Sequence, residues 1–446
     1  MIETLNSVFG GITPVAVVFV GILFAVALGG RPFTRPKECF LAVRRGGGGG
    51  DSPLRALALA LAGTLGVGNI VGVSSAIALG GAGSIFWMWV SAIFALLLKY
   101  AEVVLAMLYR KTLTDGSHHG GAPYYIRATL SRFGLSRLAS VCAVGFALLC
   151  LINALLMGCI VQSNAVARAM EIGFSLPPSL CGVTVAFLCF LLANRGRRAV
   201  SAVTGVLVPL MSALFLALSL AALVLGRSAI PSALGAIFRD AFSPLAVGGG
   251  LGGFLTSRAL RFGTIRGIIS NEAGCGTSPT AHAASTSKSP VEQGILGMLE
   301  VAIDTLLLCT VTALVILIYR GDASPADDPM EVTLRAYAAA FGGSPTVTAL
   351  LSLCILCFGF ATLLCWSHYG AESLSFIENA LHRPLLSPLF PVAFSLCAVL
   401  GALSAPALVW ALTDLVTSAM TLLNLPVLLA ATPSIKRATD QYFGKR

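Results

Sequence analysis

Two short stretches hold residues that could bind something. ISNEAGCGTSP, residues 269–279, sets an Asn, a Glu, hydroxyls, a proline and glycines 274 and 276 side by side. AGTLGVGNIVG, residues 62–72, sets Asn69 among glycines 63, 66, 68 and 72. Glycine weakens a helix and proline removes a backbone donor. Both stretches are therefore expected to leave peptide groups without helical partners. N–H groups at a half-helix start suit an anion such as a carboxylate, while free carbonyls, Asn and hydroxyl groups suit a bare monovalent cation. Glycines that merely let helices pack closely are the plainer reading of one such cluster. Two clusters carrying Asn and Glu favour binding.

Ionisable residues inside apolar runs are the next suspects. Asp304 stands mid-run beside Thr305. Asp304 and Glu272 read equally as hydrogen-bond hubs or as cation or proton sites, and Asp414 and Glu300 join them. Lys99 and Glu102, three apart, are expected to form an ion pair near the inner membrane surface. His118 and His119 fall in a loop and His282 follows the second break; all three read as ordinary polar residues. No His-Glu-x-x-His and no Ser-His-Asp grouping offers intramembrane enzyme chemistry, so no catalytic residue is expected. A channel would want rings of like residues.

The elements that must position these residues are membrane helices. Of the 446 residues 57% are hydrophobic and 11% charged, against about 25% charged in soluble domains. The expected fold is all-α and polytopic, with eleven spans near 13–29, 53–80, 83–110, 138–170, 178–194, 199–226, 251–288, 291–319, 346–378, 384–404 and 406–433. The first run follows Glu3 and no basic residue, which argues for a retained span rather than a signal peptide. The net charge of +10 gathers in loops 31–55, 110–137 and 194–198 and in the tail, as topology requires, and does not point to nucleic acid. The rule that Lys and Arg favour the cytoplasm places the N-terminus outside and the C-terminus inside; Arg258, Arg261 and Arg266 fit this less well. The cysteines, Cys354-x-x-Cys357 included, read as apolar filler.

Residues 1–50 make an extra helix and a linker ending in Gly46–Gly50, with Asp51 or Ser52 as cap and Pro53 in the first turn. Residues 51–226 and 227–433 make two five-helix halves, and 434–446 a basic cytoplasmic tail. The polar stretches open the two halves. Interrupted helices at matching positions point to an inverted-repeat transporter with its site at the midplane.

The chain resembles the alanine or glycine:cation symporters over nearly its whole length. The resemblance rests on GTLGVGNIVGVSSAIALGGAGSIFWMWVSAIFALLLKYAE (63–102), GGAPYYI (120–126), RGIISNEAGCGTSPTAHAAS (266–285), QGILGMLEVAIDTLLLCTVTAL (293–314) and DLVTSAMTLLNLPVLL (414–429). It implies the ten-helix inverted-repeat fold of the bacterial leucine transporter with one extra helix. It also implies sodium-coupled import of a small neutral amino acid across a bacterial inner membrane. No cofactor and no obligate protein partner is implied beyond amino acid, sodium and lipid bilayer. The amides of Gly66, Val67, Gly68 and Asn69 would hold the substrate carboxylate. Asn271 and the backbone from Ser270 to Gly274 would take the ammonium. Gln162 and Trp366 would contribute a polar contact and a wall. Carbonyls of Ala62 and Leu65 would meet Thr362 around sodium, and Thr64 and Asn69 would serve a second cation. The chain departs from the family at Ala361, where a serine is usual, at Cys275, where methionine is common, and at Ala82, where proline is usual. The missing hydroxyl removes one sodium ligand. Proton coupling through Glu272 or Asp304 stays open beside sodium.

Overall fold

A computed structural model describes residues 2–34, 41, 52–114, 117–242, 258–322, 324, 326–383, 386–404 and 406–444. They form helices joined by short turns, with one two-residue hairpin, β1 Lys111–Thr112 and β2 His118–His119. In chain order the α-helices of five residues or more are α1 Ile2–Ala27, α2 Pro53–Thr64, α3 Val71–Gly80, α4 Gly83–Leu108 and α5 Ala122–Ser131. α6 Ser136–Phe174 follows, then α7 Pro178–Ala193, α8 Arg197–Leu225, α9 Ile230–Ala241, α10 Arg258–Asn271 and α11 Pro279–Ala283. α12 is Pro290–Tyr319. The rest are α13 Pro329–Ala340, α14 Pro345–Leu381, α15 Phe390–Leu403, α16 Pro406–Ala430 and α17 Thr432–Gly444.

Seven of these helices are long and apolar enough to cross a membrane. The other expected spans are shorter or interrupted. α7 and α15 have 16 and 14 residues. Span 53–80 is split into α2 and α3, and span 251–288 into α10 and α11; residues 251–257 and the Gly46–Gly50 linker lie outside the described residues. Ser52 caps α2, accepting the Arg55 N–H at 3.3 Å, and Asp51 lies outside the described residues.

The interrupted helices pack against continuous ones. α10 lies along α4 and α3, and α12 along α4. α14 runs beside α6, and α7 beside α15. α1 is less detached than expected of an add-on. It packs on α16, α4 and α10, and a Cβ at Gly21 would come within 2.4 Å of Phe94 Cβ. This contact explains one awkward arginine: Arg261 donates to the Asn6 carbonyl at 3.0 Å. The tail is also more than a charged end. α17 buries Ile435, Thr439 and Phe443, and Thr439 Oγ1 sits 2.8 Å from Tyr100 Oη.

Candidate functional site

The first break is short. Leu65 and Gly66 separate α2 from a single 3-10 turn, Val67–Asn69, and α3 starts at Val71. Gly66 has no space for a side chain: a Cβ would lie 2.8 Å from Thr362 Oγ1 and 2.9 Å from Gln162 Oε1. Gln162 Oε1 accepts the Val67 N–H at 3.1 Å. Its Nε2 donates to the Met157 carbonyl at 3.3 Å, within a π turn of α6 at Leu156–Val161. π turns recur at functional sites because the wide turn leaves carbonyls for other donors.

The second break is longer. Residues 272–278 join α10 to α11, and Glu272, Gly274 and Gly276 adopt φ of 55°, 86° and 77°. Left-handed backbone is cheap for glycine and uncommon for glutamate, so Glu272 is held there by its surroundings. Thr277 Oγ1 donates to Glu272 Oε2 at 2.5 Å. Asn271 spans the start of the turn, accepting the Ala273 N–H at 3.0 Å and donating to Thr305 Oγ1 at 3.0 Å.

The two breaks face one another. A Cβ at Gly68 would lie 3.6 Å from Ser270 Cα. Asp304, in a second π turn at Ala302–Cys309, ties them together. Its carboxylate accepts Asn69 Nδ2 at 2.7 Å, Ser270 Oγ at 2.6 Å and Thr305 Oγ1 at 2.8 Å. Cys309 Sγ lies beside the same two groups, 3.5 Å from Asn69 Nδ2 and 3.3 Å from Ser270 Oγ. Asn69 Oδ1 is buried and has no protein partner. A buried acceptor without a donor is costly unless a ligand supplies one.

α14 closes the other side. Thr362 Oγ1 donates to the Ala62 carbonyl at 2.9 Å and to the Phe358 carbonyl at 3.0 Å. Trp366 is fully buried and rests on Gly158, where a Cβ would come 2.3 Å from Trp366 Cβ; its Nε1 has no protein partner. Thr64 Oγ1 turns back to the Ala60 carbonyl at 3.3 Å, and Leu65 is buried beside it.

The structure thus gathers Ala62 with Thr362, Gly66 with Gln162 and Thr362, Gly68 with Ser270, and Asn69 with Ser270 and Asp304. Gly274 turns elsewhere. A Cβ there would meet Thr421 and Leu425 of α16 and Leu98 of α4. Asp414 also stands apart, bonded to Arg266 at 2.8 Å, and the Arg266 guanidinium lies 4.7 Å from the Trp410 ring centroid. That accounts for the second awkward arginine. This group lines a cavity of about 710 Å³ with Arg168, Asp328 and Asn6. A second cavity of about 310 Å³ is lined by residues of α7, α14 and α15, and there His119 bonds Glu372 at 2.8 Å.

Two sequence expectations are corrected by a buried charge cluster. Lys99 pairs with Glu300 at 3.2 Å and donates to Ser278, whereas Glu102 accepts from Asn424 at 2.7 Å. The fully buried His282 is not an ordinary polar residue: its Nε2 meets Glu300 Oε2 at 2.9 Å, and its Nδ1 meets Gln293 Nε2 at 2.7 Å. Gln293 and Asn424 escaped the sequence reading. The signal of Asn424 was a lone carboxamide within an apolar run, whereas Gln293 stood beside Glu292 at a helix start. Only packing distinguishes such a group from a spectator, because its partners lie far away in sequence.

The model of the sodium:alanine symporter family matches residues 1–446. The chain is 34% identical over 399 residues to an uncharacterized transporter of Haemophilus influenzae, covering 90% of this chain and 85% of that one. It is 33% identical over 435 residues to the sodium/alanine symporter AgcS of Methanococcus maripaludis, covering 96% and 94%. In three dimensions it is similar to MhsT in complex with L-phenylalanine, with a TM-score of 0.55 at 14% identity over 85% of this chain and 88% of that one. That likeness shows the fold, which is the one of the bacterial leucine transporter.

Proposed function

We propose, for a chain that belongs to the sodium:alanine symporter family, the import of a small neutral amino acid such as alanine or glycine together with sodium. The family makes it a secondary amino-acid symporter of a membrane, and not an enzyme. The finer reading rests on one observation: Asn69 from the first break and Ser270 from the second bond the same carboxylate, Asp304.

In this reading the substrate carboxylate lies at the start of α3, on the amides of Gly66, Val67, Gly68 and Asn69. There the helix dipole favours an anion. The carboxylate takes the Val67 N–H from Gln162, whose amide then turns its own N–H toward the ligand. Asn271 and the backbone beyond Ser270 receive the ammonium, and Trp366 limits the side chain. Sodium sits between the carbonyls of Ala62 and Leu65 and Thr362 Oγ1. A second cation lies near Thr64 and Asn69, whose buried Oδ1 lacks a donor. The chain sits in a bacterial inner membrane with its N-terminus outside, and the halves 51–226 and 227–433 act as inverted repeats. Transport follows from rocking of the broken-helix group against the rest. Moving such a balance from 1:99 to 99:1 requires about 5.5 kcal/mol of preferential binding, which cation and substrate supply jointly.

Uptake of labelled alanine into proteoliposomes tests this. Accumulation driven by an inward sodium gradient is the expected result. Proton-driven accumulation would replace it with a second reading, supported by the buried, unpartnered Glu272 Oε1. Failure under both gradients would remove alanine as substrate.

A further inference from the structure

We propose that Asn424 is the positioning residue of the second break, fixing the backbone at Gly274 through a buried three-way hydrogen-bond node. The inference rests on the reading that residues 270–274 face the substrate. Asn424 Nδ2 donates to the Gly274 carbonyl at 2.9 Å and to Glu102 Oε1 at 2.7 Å. Its Oδ1 accepts the Tyr125 hydroxyl at 2.8 Å. Asn424, Glu102 and Tyr125 are all fully buried. A carboxamide has two N–H donors and one carbonyl acceptor, and each has a partner here. Tyr125 holds the oxygen, so the nitrogen faces the break; flipping the amide would set its carbonyl against a carboxylate and a peptide oxygen.

The surrounding residues make the contact specific to the break. Thr421, Asn424 and Leu425 share one face of α16, since residues three and four apart on a helix are neighbours. That face lies against the turn. Thr421 and Leu425 are the atoms that a Cβ at Gly274 would meet, at 3.4 and 3.7 Å, and Thr421 Oγ1 is 3.3 Å from Cys275 Sγ. α16 itself packs on α1, α5 and α6. The node therefore ties the irregular segment to helices outside the broken pair. The other anchors of the segment come from the buried charge cluster on α4 and α12, through Lys99, Ser278 and Glu300. A shift of the turn relative to α16 would break the Asn424–Gly274 bond.

The test is a swap of donor and acceptor. Asn424→Asp places two carboxyl groups together and is expected to destabilise the protein. Asn424→Asp with Glu102→Gln restores a donor–acceptor pair between α16 and α4 but leaves the Gly274 carbonyl without its donor. Amide hydrogen exchange is measured on the purified full-length double variant. At least tenfold faster exchange confined to peptides covering 272–278, with wild-type thermal unfolding, is the expected result. Wild-type exchange there would overturn the proposal. Should the double variant not fold, Asn424→Ala with Glu102→Gln removes the donor to Gly274 without leaving a buried carboxylate unpaired. It is expected to speed exchange in the same segment about threefold, and no change would likewise overturn the assignment. Half-saturation for alanine is read in parallel, with a tenfold rise expected in the double variant. Absence of alanine uptake by the wild type removes the substrate reading but leaves the exchange result standing.

Discussion

The two breaks solve the same problem in opposite ways. The first is two residues and a tight turn, with no residue in left-handed backbone, and missing side chains shape it. Thr362 and Gln162 fill the space over Gly66, where any Cβ would collide with them. The second is seven residues long and uses three left-handed positions. Side chains hold it: Asn271 caps Ala273, Thr277 holds Glu272, Lys99 holds Ser278, and Asn424 holds Gly274. The first break is a surface made by subtraction, and the second is an assembled strap. A ligand that must approach backbone amides closely belongs on the first, while a segment that must keep an irregular shape without a helix needs the supports of the second.

The largest expected effect removes a support of the second break. Lys99→Met leaves Glu300 buried and short of its cation, which costs about 3–5 kcal/mol; thermal unfolding of the purified protein should show a large drop, and a near-native midpoint would mean the strap does not depend on this pair. Gly66→Ala attacks the first break by addition. Displacing Thr362 and Gln162 from Ala62 and Val67 forfeits two buried hydrogen bonds of roughly 1–1.5 kcal/mol each. Stability should fall by roughly 2–3 kcal/mol, and uptake by the variant that remains folded should still fall about 100-fold. If stability falls and uptake does not, Gly66 is a packing residue. Asn271→Ala leaves the Ala273 N–H unpaired and removes a donor from Thr305 Oγ1, and amino-acid binding should weaken by about 30-fold or be lost, at roughly 2 kcal/mol. Calorimetry showing native affinity in a folded variant would take the ammonium contact away from Asn271.

Gly274→Ala sharpens the contrast with Gly66. Its Cβ would meet ordinary contacts from 3.4 Å outward, so the penalty is backbone alone, roughly 1–2 kcal/mol for a left-handed alanine. Stability should drop modestly with uptake within a few-fold of wild type, and abolished uptake would place Gly274 against the ligand itself. The smallest effect is at Gly72, inside α3, where a Cβ meets nothing within 4 Å. Gly72→Ala should leave uptake unchanged and raise stability by up to about 1 kcal/mol. Lost uptake would show that α3 must bend there.

Much of this was legible beforehand. Asn69, Gly66 and Ser270 announced themselves because polar and small residues are conspicuous in apolar runs. The all-α membrane class followed from hydropathy alone, and the family from ordered motifs. Partner choice was not legible. Lys99 and Glu102 lie three apart on one helix, and local spacing predicts their pairing. The closing of α12 against α4 offered Lys99 the carboxylate of Glu300 instead, while α16 brought Asn424 to Glu102. His282 looked like an ordinary polar residue for the same reason: its partners, Glu300 and Gln293, arrive on another helix.

By itself the sequence determined where the chain cannot remain helical, since missing donors and missing side chains are properties of residues. It determined which segments prefer lipid to water, since that is set by transfer free energy per side chain. The tertiary structure decided which buried polar groups meet. A buried charge or amide takes whichever partner packing brings within hydrogen-bond range, and those partners lie as far apart in the chain as Asn69 and Asp304, or Glu102 and Asn424.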